Sequence, residues 1–154
     1  MKFLLALIAV VFSSVCFAQS ITLAVGTPTK LTSTQTSQKT DPVTHQPIGP
    51  PSTVTLSYWL FPVTVTLSPE FGAGSHLVTV RNSPLPVLIG ADTAFIFANG
   101  TGNFTGHIML HQTVNDSGQV IGIQPGQTVG LQAMAGGPKN SAVHSNVVQV
   151  TTTP

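Results

Sequence analysis

Between Phe104 and Val114, apolar and polar side chains separate by parity. Ile108, Leu110 and Val114 fall on one side, and Thr105, His107, Met109, His111 and Thr113 on the other. A period of two is that of a strand with one face in a core. Asn99-Gly100-Thr101-Gly102-Asn103 precedes this run and Asn115-Asp116-Ser117-Gly118 follows it. Both stretches are rich in residues that tolerate tight turns or positive φ, so the pattern predicts consecutive hairpins.

The same alternation recurs along the chain. Ile21 to Val25 alternates and stops at Gly26-Thr27-Pro28. Val54, Leu56, Tyr58 and Leu60 share one parity against Thr53, Thr55, Ser57 and Trp59, and beyond Pro62 come Val63, Val65 and Leu67. Further β-rich runs cover Leu77 to Val80, Thr93 to Ala98 with Phe95 and Phe97 on one side, Val120 to Gln124, Thr128 to Ala135 and Asn146 to Thr152. Ser33 to Pro51 is dominated by Thr, Ser and Gln and then by Pro42, Pro47, Pro50 and Pro51, which predicts an exposed loop or a loosely held edge. Few windows are long enough for a helix without meeting Gly, Pro or β-branched clusters. The expectation is all-β: a single immunoglobulin-like β-sandwich of about eight or nine short strands following a signal peptide.

Lys2, the apolar run Phe3 to Phe12 and the short Val15-Cys16-Phe17-Ala18 stretch have the anatomy of a secretory signal, with cleavage expected after Ala18. That divides the chain into residues 1–18 and a single domain, 19–154, with no membrane span after cleavage. The expected location is extracellular, or periplasmic or cell-surface in a bacterium. Cys16 is the only cysteine, so the mature chain would have neither a disulfide nor a thiolate nucleophile. Charged residues make up only 6% of the chain. After cleavage Lys30, Lys39, Arg81 and Lys139 balance Asp41, Glu70, Asp92 and Asp116, which leaves no basic patch for nucleic acid.

At the C-terminal end, Ile123-Gln124-Pro125-Gly126-Gln127-Thr128-Val129, then Ala133, Ala135, Ser141 and Ser145 before Val147 to Val150, resembles the last two strands of a fibronectin type III or related immunoglobulin-like domain. Ser52 to Trp59 is similar to an early strand of that family. Val129 stands where the family's usual tyrosine would be, so its corner hydrogen bond would be missing. The resemblance implies a binding or spacer module.

Catalytic sets are hard to assemble. Glu70 is the sole glutamate, Asp41, Asp92 and Asp116 are scattered, and no Gly-x-Ser-x-Gly elbow occurs. The expectation is a non-enzymatic module without a cofactor, which takes a protein or glycan partner at a surface. Tyr58, Trp59 and Phe61 form the aromatic cluster with the lone tryptophan, and alternation places Trp59 outward as a candidate ligand-binding group. The alternative is a copper-type site on His107, Met109 and His111, soft and imidazole donors on one strand face. Its outer histidines would stand about 13 Å apart, so further ligands would have to come from a neighbouring strand, His76 or His144. Asn99, Asn103 and Asn115 head Asn-x-Ser/Thr sequons and are candidate glycosylation sites in a eukaryotic host.

Overall fold

A computed structural model describes residues 18–84, 86–136 and 141–154; apart from Ala18, the expected signal segment lies outside them. Among the described residues there are nine strands: β1 (Ile21–Val25), β2 (Thr29–Thr40), β3 (Pro47–Leu67), β4 (Ser75–Asn82), β5 (Ala94–Asn99), β6 (Gly102–Val114), β7 (Val120–Gly122), β8 (Thr128–Gly136) and β9 (Ala142–Thr151). The helical content is one short 3-10 turn, Pro69–Phe71. The strands form two antiparallel sheets, so the chain is an all-β, sandwich-like fold. In the first sheet β3 lies between β6, which carries β7, and an edge formed by β1 and β2. The second runs β5-β4-β8-β9.

β3, with 21 residues, organises the first sheet. β1 and β2 run one after the other along its same edge, with Val25 opposite Val63 and Thr29 opposite Leu60. The extra residue at Gly26-Thr27-Pro28 is a bulge. It lies where Pro62 has no N–H to offer: Gly26 N donates to Pro62 O at 2.9 Å, and both backbone groups of a strand residue face the same neighbour.

Ser33 to Pro51, expected as an exposed loop or loosely held edge, is a hydrogen-bonded hairpin of β2 and the start of β3, with β2 at the edge of the sheet. It is exposed as its composition requires. Its β-branched Thr residues are good strand formers on a surface without a core behind it. Gly49-Pro50-Pro51 is accommodated by a register shift opposite Gln38, whose Nε2 donates to Gly49 O at 2.8 Å.

The inner face of β3 runs through Ser57, Trp59, Phe61, Val63, Val65 and Leu67. Their partners on β6 include Leu110 opposite Trp59 and Ile108 opposite Phe61. This corrects the expected parity at Tyr58 and Leu60, which lie on the outer face, while Leu56 of the same set is buried. On β5, Ala94, Ile96 and Ala98 point inward while Phe95 and Phe97 point out. The two sheets approach closely there. A Cβ on Gly106 of β6 would stand 3.0 Å from Ile96 Cγ1, so this corner takes small or flat-packing residues rather than phenylalanine.

Side chains close the seams. Ser145 and Asn146 of β9 bulge against Ala133 of β8, with Ser145 Oγ accepting from Ala133 N at 2.9 Å. The bulge turns Asn146 toward β1, where its Oδ1 accepts from Leu23 N at 3.0 Å and its Nδ2 donates to Leu23 O at 3.2 Å. On another flank, Gly90 to Asp92 lies against β6: His111 N donates to Gly90 O, and Asp92 N to Met109 O. Gly90 has φ +82 and a Cβ there would fall 2.0 Å from His111 O, so only glycine fits.

Candidate functional site

The aromatic cluster expected on the surface is divided by the sheet. Trp59 is 0% exposed and Phe61 1%, both in the core. Trp59 is covered by the C-terminal tail: its Nε1 donates to Thr153 O at 3.0 Å, and Lys30 Nζ, on the same face of the neighbouring strand, donates to Pro154 O at 2.7 Å. Neither Trp59 nor Phe61 can therefore meet a surface ligand. Tyr58 alone stays on the outer face, its ring stacked on that of His111 with centroids 6.0 Å apart.

His107, Met109 and His111 do share the outer face of β6, since Ile108, Leu110 and Gln112 between and beyond them are buried. Opposite them on β3 stand Pro62, Leu60 and Tyr58. His111 Nε2 lies 3.3 Å from Asp92 Oδ1, and its Nδ1 lies 3.0 Å from Gln112 O. His76 and His144 do not join this face. They belong to β4 and β9 of the other sheet, where His144 sits opposite Met134 and His76 is edge-on to Phe71. Among the described residues no group of three or more His, Cys, Asp and Glu is placed to hold a metal ion. Asp92, whose N donates to Met109 O at 3.0 Å, brings one carboxylate to the His111 end of this face.

Two of the sequon asparagines are open at the surface: Asn99 is exposed at the end of β5, and Asn103 is exposed with its Oδ1 accepting from Thr66 Oγ1 at 2.7 Å. Asn115 is employed by its own turn. Its Oδ1 accepts from Ser117 N and Gln119 N at 3.0 and 2.9 Å, and its Nδ2 donates to Gln119 Oε1 at 3.2 Å. This is an Asx turn joining β6 to β7.

That turn also builds a feature that sequence reasoning missed. The tip of the β2–β3 hairpin meets it, and Thr40, Asp41, Pro42 and His45 from the tip enclose a cavity of about 290 Å³ with Asp116 and Ser117. Asp41 shapes the tip, because its Oδ1 accepts from Val43 N and Thr44 N at 2.8 Å each. The amides of Thr44 and then Val43 hold its carboxyl below the usual aspartate range. The turn leaves His45 at φ 56, an uncommon backbone conformation for a residue other than glycine. Carboxylates, hydroxyls and an imidazole around a proline surface make this a polar recess able to exchange hydrogen bonds with a hydroxylated ligand. The only advance sign of it was the Asp-Pro and Asn-Asp-Ser-Gly turn chemistry at two places seventy-odd residues apart in the chain.

No protein-family model, curated protein or solved structure matches the chain.

Proposed function

We propose that the protein is a secreted, non-catalytic β-sandwich that serves as an extracellular binding or structural module, with a protein or glycan partner at a surface. The observation that carries this reading is the β2–β3 hairpin. It presents Thr32, Thr34 and Thr36 of β2 alongside Thr53 and Thr55 of β3, all exposed, and ends in the polar recess at Asp41, His45 and Asp116. A long hydrogen-bonded ribbon that contributes little to the core needs another reason to be ordered, and contact with a partner is one. The likeness of residues 123–129 to fibronectin type III strands supports the same reading. The purified protein should be retained on immobilised polysaccharide or a surface-protein extract. Asp116→Ala together with His45→Ala should weaken retention at least about tenfold without releasing sugar products. Retention that ignores the tip, or turnover of the polymer, would reject the reading.

A second reading rests on the shared face of His107, Met109 and His111 and on Asp92 beside it. A copper ion held at the His111 end would take Met109, His111 and Asp92, since His107 stands about 13 Å from His111 along the strand. Copper titration should then give one equivalent bound by the parent and by His107→Ala, and none by Met109→Leu. Equal weak uptake by all three would end this reading.

A further inference from the structure

The outer face of β5 carries the most conspicuous apolar exposure among the described residues that lies within a strand. Phe97 is 82% exposed and Phe95 62%, and Leu77, directly opposite Phe97 on β4, is 47% exposed. β5 is also an edge: among the described residues it pairs only with β4. Native edges are commonly protected by lysine, proline, a bulge or inward-pointing charge. Ala94-Phe95-Ile96-Phe97-Ala98 has none of these. The other end of the sheet, β9, is different, because Asn146 there ties it to β1.

The five residues read the same in both directions. In antiparallel pairing about a two-fold axis, position i of one strand faces position j of the other, and j of the first faces i of the second. A palindrome therefore meets itself with like opposite like in type. We propose that two copies of this chain associate through β5, paired antiparallel about an axis at Ile96, to make one continuous eight-stranded sheet from two four-stranded ones. Ile96 faces its own counterpart, Phe95 faces Phe97 of the second copy, and Ala94 faces Ala98. On the outer face this sets four phenylalanines side by side, flanked by Leu77 from each copy, and on the inner face it continues the small apolar surface of the core. No charge within the strand opposes the approach, and aromatic cross-strand pairs favour it.

The pairing is isologous and uses the single β5 edge of each copy, so it closes at two. Pairing a short strand and covering the phenylalanines buries roughly 500 Å² per copy, less than the roughly 800 Å² of a standard stable interface. An interface of that size is expected to form a reversible dimer rather than an obligate one. The inference does not depend on what the hairpin binds.

Sedimentation equilibrium of the purified protein, produced without N-glycans so that Asn99 at the rim is bare, should fit a monomer–dimer equilibrium. Phe95→Lys combined with Phe97→Lys, both on outward positions, should keep the parent's circular dichroism and raise the dimer dissociation constant at least about tenfold. If that variant does not fold, Phe97→Ser alone provides the comparison. A wild-type chain that stays monomeric at several hundred micromolar would overturn the proposal. So would a dimer indifferent to these substitutions, species that grow beyond two copies with concentration, or binding of foreign peptides at β5 without self-association.

Discussion

Asn146 shows how much one side chain can do between sheets. Its amide copies the donor and acceptor of a strand neighbour and engages both backbone groups of Leu23. Without it β1 would have water on that edge, so Asn146→Ala should cost about 1–2 kcal/mol, the worth of two hydrogen bonds at a partly exposed site. Chemical denaturation would measure it, and a loss below about 0.3 kcal/mol would mean that water replaces the amide fully. Polar groups that are buried have comparable tasks. Asn82 donates to Pro84 O and Pro86 O and accepts from Leu88 N, which holds the loop after β4. Thr152 Oγ1 donates to Gln124 O at 2.6 Å and accepts from Gln127 N at 3.0 Å, fixing the tail that covers Trp59. Nothing in the residue types alone marks these asparagines and threonines off from the many on the surface, because their roles depend on partners 2 to 123 positions away.

Among the elements, the β2–β3 hairpin has the least support from the core and should be the first to open. Its tip depends on Asp41 being ionised, since a carboxylate is the stronger acceptor for the amides of Val43 and Thr44. The carboxyl's value is depressed in the folded tip, so its stabilisation is present in full above the unfolded value, near pH 4. It is lost as pH falls through the lower, folded value. Amide hydrogen exchange at Val43 and Thr44 should therefore quicken, relative to a turn peptide, below about pH 4 while Leu110 and Val65 stay protected. In Asp41→Ala both amides should exchange fast at every pH. Strand β6 was the element most legible in the sequence. Its period of two correctly separated the His107, Met109 and His111 face from the Ile108 and Leu110 face. In β3 and β5 the same period sets Trp59 outward and groups Phe95 with Phe97 without saying which way they face. Hydrophobicity says that a strand has two sides, but where both are partly apolar it does not say which one meets the second sheet.

At the scale of the molecule, the low charge throws solubility and association onto hydroxyls, amides and the few exposed aromatics. The hairpin offers the former and β5 the latter, on different sheets. A partner bound at the hairpin tip would thus leave β5 free, and a β5-paired dimer would present two hairpins. Two tips on one assembly raise the avidity for a repeating surface without any new contact at either tip.

Composition and local alternation alone determined that this chain is built of strands joined by Gly, Pro and Asn turns, because a period of two and the absence of helix-compatible windows are properties of neighbouring residues. They also determined that β6 has one core face. Tertiary structure decided the rest. Trp59 is inside because a C-terminal tail more than ninety positions away supplies Thr153 O to its ring nitrogen. Phe95 and Phe97 are outside because Ala94, Ile96 and Ala98 take the inner side, where Ile96 packs tightly against Gly106 of the other sheet. The recess exists because two turns that share no sequence signal meet in space. Such contacts are long-range, and a pattern read along the chain carries no information about which distant residue will arrive at a given face.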